Sequence, residues 1–518
     1  MSDEKKLIIY QVFTRLFGNN NNHCINNGSI AENGCGKMAD FTAKALGEIK
    51  KLGATHIWYT GIIEHATQTD YRRYNIQPDH PAIVKGKAGS PYAIKDYYDV
   101  DPDLAKDVPE RMKEFENLVQ RTHRSGLKVI IDFVPNHVAR QYHSDMQPDG
   151  TSQLGANDDT NYAFSPYNNF YYIPQSELHG QFDMKGAAAE PYKEFPAKAT
   201  GNNRFDAYPN INDWYETVKL NYGVDYQNGG TCHFNPVPDT WTKMLDILLF
   251  WADKNIDGFR CDMAMLVPIG FWQYAAARLR RVKPDLFLLA EAEQRNLFDD
   301  GVFDACYGWE MHHLLNDVAQ QRVRVTALRD WLRADRGRYP RSAMRLAFTS
   351  NHDENSWNGS EFARMGAARG IMAAFTFVVP GGLPLIYTGQ EVGYDHSFAF
   401  FDRDPIPAES YRANAYTEFY RRLTELRHAN PALAAGGRGG DMVEISNNAE
   451  DCLMTFVREV PGNQVVAVMN LSPYAIETDY YTGIYAGMYT DALTGRPSEL
   501  RGHVVEPMGP WSYRILTR

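Results

Sequence analysis

Four short segments, far apart in the chain, each place an ionisable residue at the end of a β-like run. They are DFVPNH (Asp132 to His137), GFRCD (Gly258 to Asp262), LLAEA (Leu288 to Ala292) and FTSNHD (Phe348 to Asp353). A single Asp after a strand is ordinarily a helix cap or a turn residue. Four such segments in order, with helices between them, are the pattern of parallel strands presenting reactive groups at their C-terminal ends. The chemistry they suit is cleavage of a glycosidic bond. With retention, this takes one ionised carboxylate to attack the anomeric carbon and one protonated carboxyl to protonate the leaving oxygen, roughly 5 Å apart. Neighbouring strand ends supply that spacing.

The elements that must position these groups can be read from periodicity. Strand-like runs are expected at Ile8 to Arg15, His56 to Ile63, Val129 to Pro135, Gly258 to Ala264, Phe287 to Ala292, Asp304 to Trp309, Arg345 to Asp353 and Leu383 to Glu391. Amphipathic segments alternate with several of them, including Phe41 to Leu52 and Trp241 to Lys254, whose apolar residues recur at helical spacing. Eight such units predict an α/β fold with a closed (β/α)₈ TIM barrel over 1–137 and 236–430. Between the third and fourth strands the helical rhythm fails over Val138 to Asn235, a stretch rich in Asn, Asp, Tyr, Pro and Gly. A structureless loop that long is uncommon, so an irregular inserted subdomain (138–235) is expected to form one wall of the cleft. After Asn430 short alternating runs such as Cys452 to Val460, Gln464 to Leu471 and His503 to Pro507 predict a C-terminal antiparallel β-sandwich over 431–518.

Composition narrows the partner. The 518 residues carry a formal charge of −11, and the basic residues are dispersed. This argues against nucleic acid or an anionic membrane surface and suits a neutral substrate. Aromatic residues make up 13% of the chain, 31 of them Tyr, and their faces suit the C–H faces of sugars. The N-terminal MSDEKKLIIYQVF lacks a secretory pattern, and no run is long and apolar enough to span a bilayer. The six cysteines lack metal-ligand spacing. Reduced thiols in a cytoplasm are the expectation. No phosphate loop or dinucleotide fingerprint appears in context, so no organic cofactor is expected.

The barrel, the insertion after its third strand, the β-rich C-terminal part and the four segments resemble the α-amylase family, glycoside hydrolase family thirteen. The resemblance covers nearly the whole chain. It implies Asp262 as nucleophile, Glu291 as general acid and later base, and Asp353 as a third carboxylate that grips sugar hydroxyls and stabilises the transition state. His137 and His352 would donate hydrogen bonds to the same sugar, and Tyr92, within GSPYAIKDYYDVDP (Gly89 to Pro102), would stack on it. Arg260 lies two residues before Asp262, on the same strand face, and would hold it ionised. Glu291 has no such neighbour in sequence and keeps its proton more readily. Asp132 is expected to orient Arg260 without touching substrate. Glu293 is the competing acid one strand period from Glu291, and Tyr387 to Glu391 is expected to be structural.

Two departures from the family pattern bear on substrate and metal. Met265 and Leu266 stand where endo-acting members often carry Lys-His, so leaving-side recognition must differ. In VKLNYG (Val218 to Gly223), Lys219 replaces an Asp that commonly helps bind a structural calcium beside the Asn of the PNH motif, here Asn136. An ammonium cannot ligate calcium, and placed there it could substitute for the ion's charge. A second place where some members bind calcium, Phe17 to Gly28 followed by Glu32, carries little charge for tight binding. The metal ligands are therefore left open. The expected activity is retaining hydrolysis of α-1,4-linked glucans or maltooligosaccharides. The alternatives are transglycosylation or isomerisation at the same site, and a catalytically inactive carbohydrate-binding barrel.

Overall fold

The computed structural model describes residues 6–407 and 410–518. Eight parallel strands close into a barrel: β1 (Ile9–Phe13), β2 (His56–Thr60), β3 (Lys128–Phe133), β4 (Gly258–Cys261), β5 (Phe287–Ala290), β6 (Ala305–Tyr307), β7 (Met344–Ala347) and β8 (Gly382–Tyr387). Each pairs with its sequence neighbours, and β8 closes on β1. Side chains alternate along each strand. Tyr10, Ile57, Tyr59, Val129 and Ile131 pack outward into the large core under the helices, while Ile9, Trp58, Ile130, Leu289, Tyr307, Leu346 and Leu383 fill the barrel interior. Continuing the inward parity towards the C-terminal ends gives Gln11, Asp132, Arg260, Asp262 and Glu291. The period of two thus delivers the polar groups to one end of the barrel, above an apolar floor.

Helices Ala43–Lys51, Arg111–Arg124, Asp239–Asp253 and Ile269–Val282 make the first crossovers, but β5 and β6 are joined only by the 3₁₀ segment Arg295–Gly301. Asp300 and Gly301 take positive φ there, turning the chain before a full helix can form. All eight strands are shorter than their sequence runs. β4 ends at Cys261 and β8 at Tyr387. β7 ends at Ala347, and His352–Asn358 is a short helix whose cap Asn351 accepts from the backbone N–H of Asp353 (3.0 Å) and Glu354 (2.7 Å). The motif Asp353 therefore sits in the first turn of a helix, not in a strand.

Within 138–235 the described structure is irregular, with short ladders pairing His137–Ala139 with Thr217–Lys219 and Tyr172–Ile173 with Ala197–Lys198. Buried Arg140 ties this segment together through Glu194 (2.7 Å) and the carbonyl of Tyr215 (2.7 Å). At the C-terminus a six-stranded antiparallel sheet faces a two-stranded ladder, Ile476–Tyr481 with His503–Met508, over a core of Val457, Val466, Val468, Tyr480 and Leu516. Fully buried Arg458 docks this sandwich on the barrel through the carbonyls of Val378 and Val379, both at 3.1 Å. All six cysteines are free.

Candidate active site

Arg260 is the centre of the site. It is fully buried, and its guanidinium lies 2.8 Å from Asp262, 2.8 Å from Glu291 and 3.3 Å from Asp132. The rings of Trp58, Tyr92 and Tyr307 surround it at 5.2 to 5.6 Å. Charge-assisted contacts of this kind compensate for burying a cation, and aromatic faces add to them. Asp132 is further held by the indole N–H of Trp58 (3.1 Å) and lines no part of the cavity.

Sequence spacing pairs Arg260 with Asp262 alone, but its guanidinium reaches Glu291 as well. The difference between the two carboxyls survives for another reason. Burial raises Asp262 to about 6, with Arg260 opposing. Burial raises Glu291 to about 7, and the neighbouring charge of Asp262 adds to the effect. Between these values Asp262 is the anion and Glu291 the acid. Both carboxyls bond the one Arg260 guanidinium, each at 2.8 Å, so they stand side by side at the strand ends. Glu291 is also aimed by the N–H of Met263 (2.8 Å), a residue held at φ +42° immediately after the nucleophile. A left-handed non-glycine residue here is strain of the kind found where a backbone group must be aimed.

The cavity above these groups encloses about 620 Å³. Asp262, Glu291, Asp353, Tyr92 and His137 all line it. Enclosure raises Asp353 to about 7, and the charge of Glu291 pushes in the same direction. Burial lowers His137 to about 3, so the ring is neutral; it receives a contact from the Asn136 amide (3.0 Å) and packs 5.2 Å from Trp214. His352 is placed differently from the expected sugar contact. It is fully buried, lines no part of the cavity, and engages Gln11 through Nδ1 (2.7 Å) and the Tyr92 hydroxyl through Nε2 (2.6 Å). Its place is to fix Tyr92 and, 3.2 Å away, Asp353. Glu293 stands outside the cavity and accepts from the N–H of Glu310 (2.8 Å). Glu391, in the segment expected to be structural, accepts from Tyr411 and from the N–H of Gly389 (2.9 Å).

The lining also includes residues that the sequence does not single out, among them Trp214 and Glu216 from the insertion, Lys85 after β2, Trp357 on the helix of Asp353, and Phe400 and Phe401 after β8. Trp357 follows Asp353 by four residues, the spacing that places two helical residues on one face. Recognising the cap at Asn351 would have revealed it.

The residues at the family's calcium position do not fit that ion. Lys219 is buried, and its ammonium donates to Asn136 Oδ1 and to the carbonyl of Leu266 (3.3 Å). The cation therefore already occupies the oxygens a calcium would need. At the second position Glu32 is used to cap its own helix, accepting from Ser29 N–H and Oγ at 2.7 Å each.

Fold and carboxylate constellation define a (β/α)₈ barrel of the glycosidase type. The chain belongs to the α-amylase family: the family profile described as Alpha amylase, catalytic domain, matches residues 11–409, and Alpha amylase, C-terminal all-beta domain, matches 445–512. It is similar to a cyclomaltodextrin glucanotransferase of Bacillus sp. (24% identical, covering 94% of this chain and 63% of that protein). It is also similar to the alpha-amylase MalA of Haloarcula japonica (23% identical, 93% and 59% covered). The chain thus spans about three fifths of the length of these curated relatives. Among solved structures, a noncanonic maltogenic alpha-amylase AmyB from Thermotoga neapolitana shares the fold with a TM-score of 0.69 at 21% identity, covering 99% and 98% of the two chains.

Proposed function

We propose that the protein is a retaining hydrolase of α-1,4-linked glucans or maltooligosaccharides. The observation that carries this reading is the Asp262–Glu291 pair, sharing Arg260 at 2.8 Å each and open to one cavity. In the first step an Asp262 oxygen bonds to the anomeric carbon while the glycosidic C–O bond breaks, and the Glu291 proton passes to the departing oxygen. In the second, Glu291, now a carboxylate, takes a proton from water, whose oxygen displaces Asp262 and restores the original configuration. Asp353 and the neutral His137 hold sugar hydroxyls, and Tyr92 supplies an apolar face. Arg260 keeps compensating charge beside Asp262 throughout. No metal enters these steps, and Lys219 supplies the positive charge at the family's calcium position.

The second reading is transfer of the glycosyl group to a sugar acceptor, which the same intermediate permits and which the glucanotransferase relatives favour. Among the described residues no helix is long and apolar enough to cross a membrane. The six unpaired thiols support a reducing, cytoplasmic setting. The test is an NMR time course with maltoheptaose that follows new anomeric protons and total reducing ends. Rising reducing ends with α-anomers first is the expected result. Chain-length redistribution at constant reducing ends would replace hydrolysis by transfer, and β-anomers first would overturn retention.

A further inference from the structure

One wall of the cavity carries information about which bond along a glucan chain is cut. The acid sits on β5, and in the closed order β1-β8-β7-β6-β5-β4-β3-β2 that strand lies across the barrel from β1 and its neighbours β8 and β2. Glu291 protonates the oxygen of the departing sugar, so the leaving side of the substrate lies towards β5. The sugar that stays on Asp262, with everything attached to its non-reducing side, must therefore extend towards β8, β1 and β2.

On that side packed aromatic rings form a wall. Phe400 stacks on Tyr92 with ring centroids 6.3 Å apart and planes 18° apart, and Trp357 and Phe401 pack on Phe400 at 5.2 Å each. Buried Arg15, just past β1, donates to the carbonyls of Phe400 and Gly89 (2.9 Å), joining the segments after β8 and β2. Gly86 lets the same two segments meet, because a Cβ there would collide with the Phe401 carbonyl oxygen. The remaining gap lies between Phe401 and the insertion, and Lys85 fills it. Its ammonium is 2.9 Å from Glu216 Oε2 and 3.0 Å from the Asp213 carbonyl, over the rings of Tyr215 (4.8 Å) and Phe401 (5.8 Å). Lys85 and Glu216 are largely buried and line the cavity. At about 620 Å³ the space has the size of a small-molecule pocket.

We infer that the Lys85–Glu216 bridge makes the site specific for chain ends: a glucan enters with its non-reducing terminus against this wall, and short products are released from that end. The inference rests on the hydrolytic reading above and adds the direction and position of attack. A chain running past the wall would have to break the ion pair and leave two charges unpaired at low exposure, which is a repulsive element against internal binding.

The test compares maltoheptaose with the same oligosaccharide capped by an acetal across O4 and O6 of its terminal non-reducing glucose, both followed by product mass. The uncapped chain is expected to be shortened by a constant short unit, and the capped chain to react about a hundredfold more slowly. Equal turnover with the same mixed products would overturn end specificity while leaving the hydrolase standing. Turnover of neither would overturn both. The variant Lys85→Ala/Glu216→Ala removes both charges together, so neither is left buried alone, and it should bring the capped substrate to within about tenfold of the uncapped one. Phe401→Ala, which opens the same wall without touching a charge, should move the ratio in the same direction and covers the case in which the double variant does not fold. A ratio unmoved in the folded variants would show that this wall does not exclude the capped chain.

Discussion

Two buried groups of carboxylates among the described residues differ in form, and the one at the barrel's C-terminal end has that of a catalytic site. Asp262, Glu291 and Asp132 converge on one Arg260, and the first two face a cavity. Glu64, Asp96 and Asp99 are equally buried, on the paired strands Ile63–His65 and Ile94–Val100 after β2. There, however, protein donors take up the charge. Asp96 accepts from Tyr98 N–H (2.8 Å), Ser144 Oγ (2.7 Å) and Met146 N–H (3.0 Å), tying the insertion to the barrel, and Asp99 pairs with Arg111 (2.8 Å). Burial, and then the charge of Asp99, push Glu64 well above the usual carboxylate range. Buried carboxylates with raised pKa values are common to both groups. What separates them is that the acid and the anion at Arg260 line a cavity with space for a substrate, whereas Asp96 and Asp99 are engaged by their own protein donors away from it.

Substitutions can break this contrast, beginning with the largest expected effect. Asp262→Ala should reduce hydrolysis by a factor on the order of 10⁴ to 10⁶ with the circular dichroism spectrum unchanged, as removal of a nucleophile does. Glu291→Gln should cost roughly 10² to 10⁴ in kcat, whereas Glu64→Gln, which lies outside the cavity lining, should leave kcat within about twofold. Equal losses in those two variants, read by steady-state kinetics, would erase the distinction. Asp99→Asn should leave Arg111 without its partner and cost about 3–5 kcal/mol of stability, seen by denaturant unfolding, with little change in kcat of the folded protein.

Smaller effects sharpen the picture of the site itself. Lys219→Met should lower kcat by about ten- to a hundredfold with a lesser change in KM, because the tie between Asn136 and Leu266 positions the loop that carries Asp262. A chelator should leave the native enzyme's activity unchanged, since Lys219 holds the oxygens in question. The mildest expectation is a bell-shaped pH profile of kcat/KM. Asp262 must be ionised, so the rate rises with pH through about 6; Glu291 must be protonated, so it falls through about 7. The maximum should lie between those values, and Glu291→Gln should abolish the alkaline limb.

Much of this arrangement is legible from sequence because it depends on local rules. Arg260, Asp262 and Glu291 follow from a period of two continued past apolar strand residues, and the eight strands from their alternation with helices. The missing helix between β5 and β6 and the end of β7 were less accessible. The pattern from Asn351 to Glu354 is a helix start, an Asn followed three residues later by Glu, but it abuts a strand and in sequence looks like its continuation. His352 could not be placed at all without the fold, since its burial depends on Gln11 and Tyr92 from remote segments. The same holds for Lys85, Glu216, Phe400 and Phe401. They lie outside regular elements, where no period relates one side chain to another, and only the closed barrel brings the segments after β2, β3 and β8 together.

The most direct test of the central claim is to trap the covalent intermediate. A 5-fluoro-maltosyl fluoride of α configuration should form the glycosyl-enzyme quickly and release it slowly, because the ring fluorine destabilises the oxocarbenium-like transition state of the second step. Mass spectrometry of the intact protein and its peptides is then expected to show one added maltosyl unit, esterified to Asp262. An adduct on Glu291 or Asp353, or steady turnover of the reagent in an Asp262→Ala variant, would contradict the assignment on which the account rests.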